Sequence, residues 1–114
     1  MTPESNDLWW LQRSVGMWCK KQFPDQDAGA IALHFSEEAI ELQAAVIAYM
    51  RHGPNPSTQS AIGEEIADCI ILLLTLADHV GVVSSREVRK KMRENYKAKF
   101  ALDESVGYHK RVKK

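Results

Sequence analysis

The chain has 114 residues, enough for one domain with a hydrophobic core and below the size at which chains usually divide. A hydrophobic content of 45% and a charged content of 26% exclude a disordered or low-complexity protein. Fifteen basic and fifteen acidic residues cancel, which argues against a nucleic-acid-binding protein held by charge alone.

The cancellation hides a division. Residues 1–85 hold four basic and eleven acidic groups, a net −7, whereas residues 86–114 hold eleven basic and four acidic, a net +7. Such a division suits a metal–polyphosphate ligand and equally suits pairing within or between chains. The N-terminus is polar, and Trp9-Trp10 is soon followed by Gln12 and Arg13, so no secretory signal is read. The longest apolar stretch, Cys69 to Leu74, is far short of the roughly 20 residues that cross a bilayer, and a cytoplasmic protein without membrane contact is expected. Cys19 and Cys69 lack metal-ligand spacing and read as small buried hydrophobes.

Apolar periodicity predicts an all-α fold, an antiparallel bundle of four main helices. The first helix spans about Asp7 to Phe23, with Leu8, Leu11, Val15 and Trp18 at three- and four-residue steps. Pro24 ends it, and Asp27 is placed to cap the second, which runs to about His52 before Gly53-Pro54. After a loop over 53–58 the third helix continues to Val80, with Gly81 as its terminator. Ser84-Ser85-Arg86-Glu87 reads as a capping box for a fourth helix reaching about Phe100. No strand is expected. The organisation predicted is a helical domain over 1–100 and an irregular basic tail over 101–114.

The third helix is apolar on all sides. Ile66, Cys69, Ile70, Leu73, Leu74, Ala77 and Val80 form one stripe, and Ile71, Leu72 and Leu76 lie opposite. Such a helix should be buried all round. One subunit of four helices cannot surround it, so completion by a second copy is expected.

The carboxylates carry the chemistry. At 100° per residue, Glu37, Glu38 and Glu41 occupy an arc of about 100° within a rise of about 6 Å. Glu65 and Asp68 share a face of the third helix. Counted from the middle of the loop, Glu41 lies about 14 residues back and Asp68 about 13 forward, so an antiparallel hairpin brings them level, with Glu38 and Glu65 nearby. Asp68 directly precedes the apolar run 69–74. A carboxylate held near a core and facing others of like sign calls for a cation. Oxygen ligands without His or Cys favour Mg²⁺ or Mn²⁺. A di-iron bundle would need Glu-x-x-His on two helices, and neither Glu38-x-x-Glu41 nor Glu65-x-x-Asp68 supplies it.

Glu37-Glu38-Ala39-Ile40-Glu41, followed 23 residues later by Glu65-Ile66-Ala67-Asp68, resembles the EExxE…ExxD pattern of the MazG-like nucleoside triphosphate pyrophosphatases. Lys91-Met92-Arg93-Glu94-Asn95 is similar to the Lys-x-x-x-Asn of related dCTP pyrophosphatases, and the resemblance spans about residues 8–100. It implies Mg²⁺-dependent hydrolysis of a (deoxy)nucleoside triphosphate, dCTP- or dATP-like, to the monophosphate and pyrophosphate. Glu38, Glu41, Glu65 and Asp68 would bind metal, with Glu37 holding a further ion or orienting the water. Lys91 would contact phosphate and Asn95 the sugar or a phosphate. Phe23 falls near the family's stacking aromatic, with Trp18 a second candidate. His34 stands where many relatives carry Lys, one turn before Glu38. The resemblance further implies a homodimer or a dimer-of-dimers tetramer. Two other readings remain: a phosphoribosyl-ATP pyrophosphohydrolase on the same scaffold, and a non-catalytic helical module whose carboxylates pair with its basic tail.

Overall fold

A computed structural model describes residues 3–113; Lys114, the end of the basic segment, lies outside the described residues, as do Met1 and Thr2. The chain forms α1 (Pro3–Gln22), α2 (Ala28–His52), α3 (Pro56–Val80), α4 (Ser84–Lys97), β1 (Phe100–Asp103) and β2 (Tyr108–Arg111). It divides into two compact units, residues 1–84 and 85–114. No single helix is long and apolar enough to cross a membrane.

In the first unit α2 and α3 are joined by a connection of three residues, and this enforces an antiparallel hairpin. Side-chain caps fix where each helix begins. Asp27 accepts a hydrogen bond from the Ala30 amide at 2.8 Å. Asn55 and Thr58 form a reciprocal capping box at the start of α3, with Pro56 at its first turn. At the far end of α3, Gly81 takes a left-handed φ of 79°. Its amide donates to Asp78 and that of Val82 to Ala77 at 2.9 Å, the Schellman arrangement.

Helix α1 lies against α3 and is tied beyond its end by Gln12. That side chain donates to the Val82 carbonyl at 2.7 Å and accepts from the Ser84 amide at 2.8 Å. The buried apolar residues are Cys19, Ile31, Cys69, Leu72 and Leu74, joined by Thr75, whose hydroxyl lies 3.2 Å from the Cys19 sulfur. Both cysteines are buried and free.

Within the single chain, helix α3 is not enclosed on all sides: Ile66, Ile70, Leu73 and Val80, from the apolar stripe, are 40–54% exposed. Helices α1 and α2 pack against it and enclose little more than one face. One expectation is corrected: the segment after α4 is not irregular. It forms an antiparallel hairpin in which Phe100 pairs with Arg111 and Asp103 with Tyr108. Asp103 holds the turn by accepting from the Ser105 hydroxyl at 2.6 Å and its amide at 3.0 Å, and by pairing with Lys110 at 3.2 Å. The Ser105 and Lys110 bonds hold its carboxyl below the usual value.

Candidate active site

The middle of the α2–α3 hairpin carries the acidic residues. Because Glu38 lies on the face of α2 that meets α3, and Glu65 on the face of α3 that also carries Cys69 and Leu72, both carboxylates are half-buried. Asp68 completes the group from the exposed side. One oxygen from each of Glu38, Glu65 and Asp68 lies within 4.8 Å of the others. The expectation that Asp68 is the carboxylate held near the core is therefore corrected: it is exposed, and Glu38 and Glu65 are drawn inward.

This concentration of charge shifts the neighbours. The Glu41 carboxyl is pushed up, first by its hydrogen-bonding approach to Glu38 and by the Glu38 charge, then by partial desolvation and the charges of Asp68 and Glu37. Desolvation also raises Glu65, reinforced by the charges of Glu41 and Asp68. Cys69, packed behind the group, has its thiol raised by burial and by Glu38, Glu65 and Asp68. These shifts share one cause, the close approach of like charges in a partly dry setting.

The donor set fits a hard divalent cation. Glu38 Oε2 and Glu65 Oε2 are buried and have no hydrogen-bond partner among the described residues. Buried carboxylate oxygens are costly unless something neutralises them. Oxygen donors alone, with no imidazole or thiolate in the group, suit hard cations such as Mg²⁺, Mn²⁺ or Ca²⁺ better than zinc. Glu38 Oε1 is served by His34 Nε2 at 3.3 Å, across one helical turn, so His34 orients this carboxylate.

A cavity of about 320 Å³ opens beside the carboxylates. Glu38, Asp68 and His34 form part of its lining, and Trp18, Phe23 and Leu72 supply an apolar wall. Trp18 and Phe23 meet edge to face, with centroids 5.6 Å apart and planes at 83°. Both are about half exposed, so neither serves as core packing.

The remaining residues singled out from sequence are placed as follows. Glu37 and Glu41 are exposed on α2, outside the three-oxygen group. Within the second unit, Lys91 pairs with Glu94 at 3.7 Å, and the Asn95 amide approaches the Met92 sulfur at 3.6 Å. Trp9 and Trp10 stack edge to face on α1, with the Arg13 guanidinium 5.0 Å from the Trp9 ring. Sequence reasoning missed Gln26, which lines the cavity from the short connection between α1 and α2. Its one signal was position, three residues beyond the aromatic at the end of α1.

A helical hairpin that gathers hard oxygen donors beside an aromatic-walled cavity is chemically fitted to a divalent cation. The MazG-like family pattern matches residues 36–113, and the chain belongs to that family. Among solved structures, the chain is similar to the cyanophage S-2L MazG-like pyrophosphohydrolase, bound to dGDP and three catalytic Mn²⁺ ions per active site. The two share 26% identity with a TM-score of 0.69, over 92% of this chain and 91% of the other. No curated protein matches the chain.

Proposed function

We propose that the protein is a Mg²⁺- or Mn²⁺-dependent pyrophosphohydrolase that converts a nucleoside triphosphate, by preference a deoxynucleotide, to its monophosphate and pyrophosphate. The observation that carries this reading is the meeting of Glu38, Glu65 and Asp68, with two orphaned buried oxygens, at the edge of an aromatic-walled cavity. Membership in the MazG-like family and the likeness to a pyrophosphohydrolase that binds dGDP and Mn²⁺ support it.

A divalent cation bound there would neutralise charge on the phosphate oxygens and lower the pKa of a bound water. Glu38, Glu65 and Asp68 would hold it, with Glu41 joining from the next turn of α2. His34 fixes the rotamer of Glu38. Glu37, at the outer edge of the acidic arc, would orient the attacking water or share a further ion. Trp18 and Phe23 offer apolar ring faces to a nucleobase. Lys91 and Asn95 keep in this proposal the phosphate and sugar roles of the family pattern. The exposed apolar faces of α2 and α3 favour a homodimer or a pair of dimers.

The test is pyrophosphate release from the common dNTPs and NTPs with Mg²⁺ or Mn²⁺, run beside Glu38→Gln and Asp68→Asn. Each substitution should lower kcat/KM on the order of 100-fold or more, the scale of a lost electrostatic contribution at a reacting centre. Wild-type rates in both variants would exclude the mechanism. A helical pairing module, the reading from another class, would release no pyrophosphate at all.

A further inference from the structure

Gln26 occupies a position that the acidic group does not explain. It closes the turn Phe23-Pro24-Asp25-Gln26, in which its amide donates to the Phe23 carbonyl at 3.2 Å. Pro24 sits at the second position of that turn, where its fixed φ suits the geometry. The next residue, Asp27, is locked as the cap of α2. The backbone of Gln26 is thus held on both sides, and its side chain is half-buried in the cavity that Trp18 and Phe23 line.

The other polar groups of that cavity are committed. His34 contacts Glu38, and Glu38 and Asp68 belong to the acidic group. Thr75 donates to the Ile71 carbonyl at 2.7 Å and lies against Cys19. The Gln26 carboxamide has no hydrogen-bond partner among the described residues. It is the neutral donor–acceptor group left over in a pocket whose other polar members are engaged and whose remaining wall is rings and aliphatic carbon.

We infer that Gln26 is a base-binding residue, whose carboxamide pairs with the hydrogen-bonding edge of a nucleobase held against Trp18 and Phe23. This inference rests on the nucleotide reading of the same cavity. A carboxamide carries one acceptor and two donor hydrogens in a plane. Every common base presents a donor beside an acceptor on its pairing edge, so the amide forms two hydrogen bonds in one of its two orientations. A base seated against the two rings would replace water at the amide with two direct partners, whereas a bare polyphosphate would not.

The test uses two substitutions. Gln26→Ala should raise KM for the preferred nucleotide about 5- to 100-fold, the worth of one bidentate contact, with kcat nearly unchanged. Gln26→Glu is close to isosteric but only accepts. Guanine alone sets two N–H donors side by side, at N1 and N2, so the kcat/KM ratio of dGTP to dCTP should rise at least tenfold over wild type.

Mn²⁺ affinity should be unchanged in both variants, and this shows that the fold and the acidic group are intact. A dGTP-to-dCTP ratio within twofold of wild type in Gln26→Glu would overturn the inference. So would a fall in kcat without a rise in KM in Gln26→Ala. Both results would leave the hydrolase reading standing, provided the wild type releases pyrophosphate. A wild type that releases none would remove that reading and this contact with it.

Discussion

Gly16 lies in the interior of α1 and is buried where that helix meets α3. A methyl group on its Cα would overlap the Asp78 carboxylate and lie 3.0 Å from Asp78 Cβ. Asp78 is not free to swing aside without loss. Its side chain is 24% exposed and pairs with Lys20 at 3.3 Å. Gly16→Ala therefore forces one of two changes. If Asp78 rotates, an ion pair worth at most about 1 kcal/mol goes, and an off-rotamer side chain costs about 0.5–1.5 kcal/mol. If the helices part instead, overpacking costs about 1–3 kcal/mol. Alanine returns about 1 kcal/mol through its better helix propensity. The net expectation is a loss of about 0.5–1.5 kcal/mol.

Removing the Asp78 carboxylate should reverse the sign. In an Asp78→Ala background the new methyl meets only a Cβ, and the propensity gain makes Gly16→Ala neutral or stabilising by up to about 1 kcal/mol. Urea denaturation of the four proteins, followed by circular dichroism, closes the double-mutant cycle. A Gly16→Ala protein more stable than wild type would refute the close approach. Equal effects of Gly16→Ala in the two backgrounds would refute the role of Asp78.

Two further predictions concern charge and assembly. The carboxyls of Glu41 and Glu65 are raised above the ordinary glutamate value in the folded chain, so the native state binds more protons than the unfolded chain. Their favourable contribution is complete below the ordinary value and is lost as pH rises through the raised ones. Chelator-treated protein should therefore melt at a lower temperature at neutral pH than near pH 5, and Mn²⁺ should restore the difference. A Tm that climbs with pH in chelator, or a null effect of Mn²⁺, would contradict the picture. For assembly, Ile40 and Ile47 lie seven apart on one face of α2 and are 66% and 44% exposed. Sedimentation should show a dimer or tetramer at micromolar concentration, broken by the pair Ile40→Glu and Ile47→Glu. A monomeric wild type would refute this.

The helices were legible in the sequence because their punctuation is local. Asp27, Pro24, Gly53-Pro54 and Gly81 act within a turn of themselves, and the structure places helix ends at or near each of them. The hairpin over 100–111 was not legible. Its strands have four residues each, and Lys110 and Arg111 interrupt any apolar alternation. What holds it is a side-chain knot at Asp103, Ser105 and Lys110, which has no periodicity to read. Gln26 was missed for a related reason: a polar residue in a five-residue connection looks like solvent-facing loop until the turn at Pro24 is folded.

The acidic site divides along the same line. Spacing on a helix converts directly into a shared face, and a short connection converts two faces into opposed heights, so the approach of Glu38 to Glu65 and Asp68 could be read. Depth could not. An α3 that is apolar all round has no polar side to show which face turns inward, and the choice falls to the packing of α1 and α2 against it. The face chosen carries Cys69 and Leu72, and Glu65 shares it at four and seven residues before them. Glu65 is drawn in with Glu38, and Asp68 is left at the rim. A group with two inner carboxylates and one outer has a direction: the orphaned oxygens lie inside, and the exposed member faces the side from which a hydrated cation would arrive. Asp68→Asn should then slow the association of Mn²⁺ more than Glu65→Gln does, whereas Glu65→Gln should chiefly speed its release. Stopped-flow traces with the two effects exchanged would show that depth has been assigned to the wrong residue.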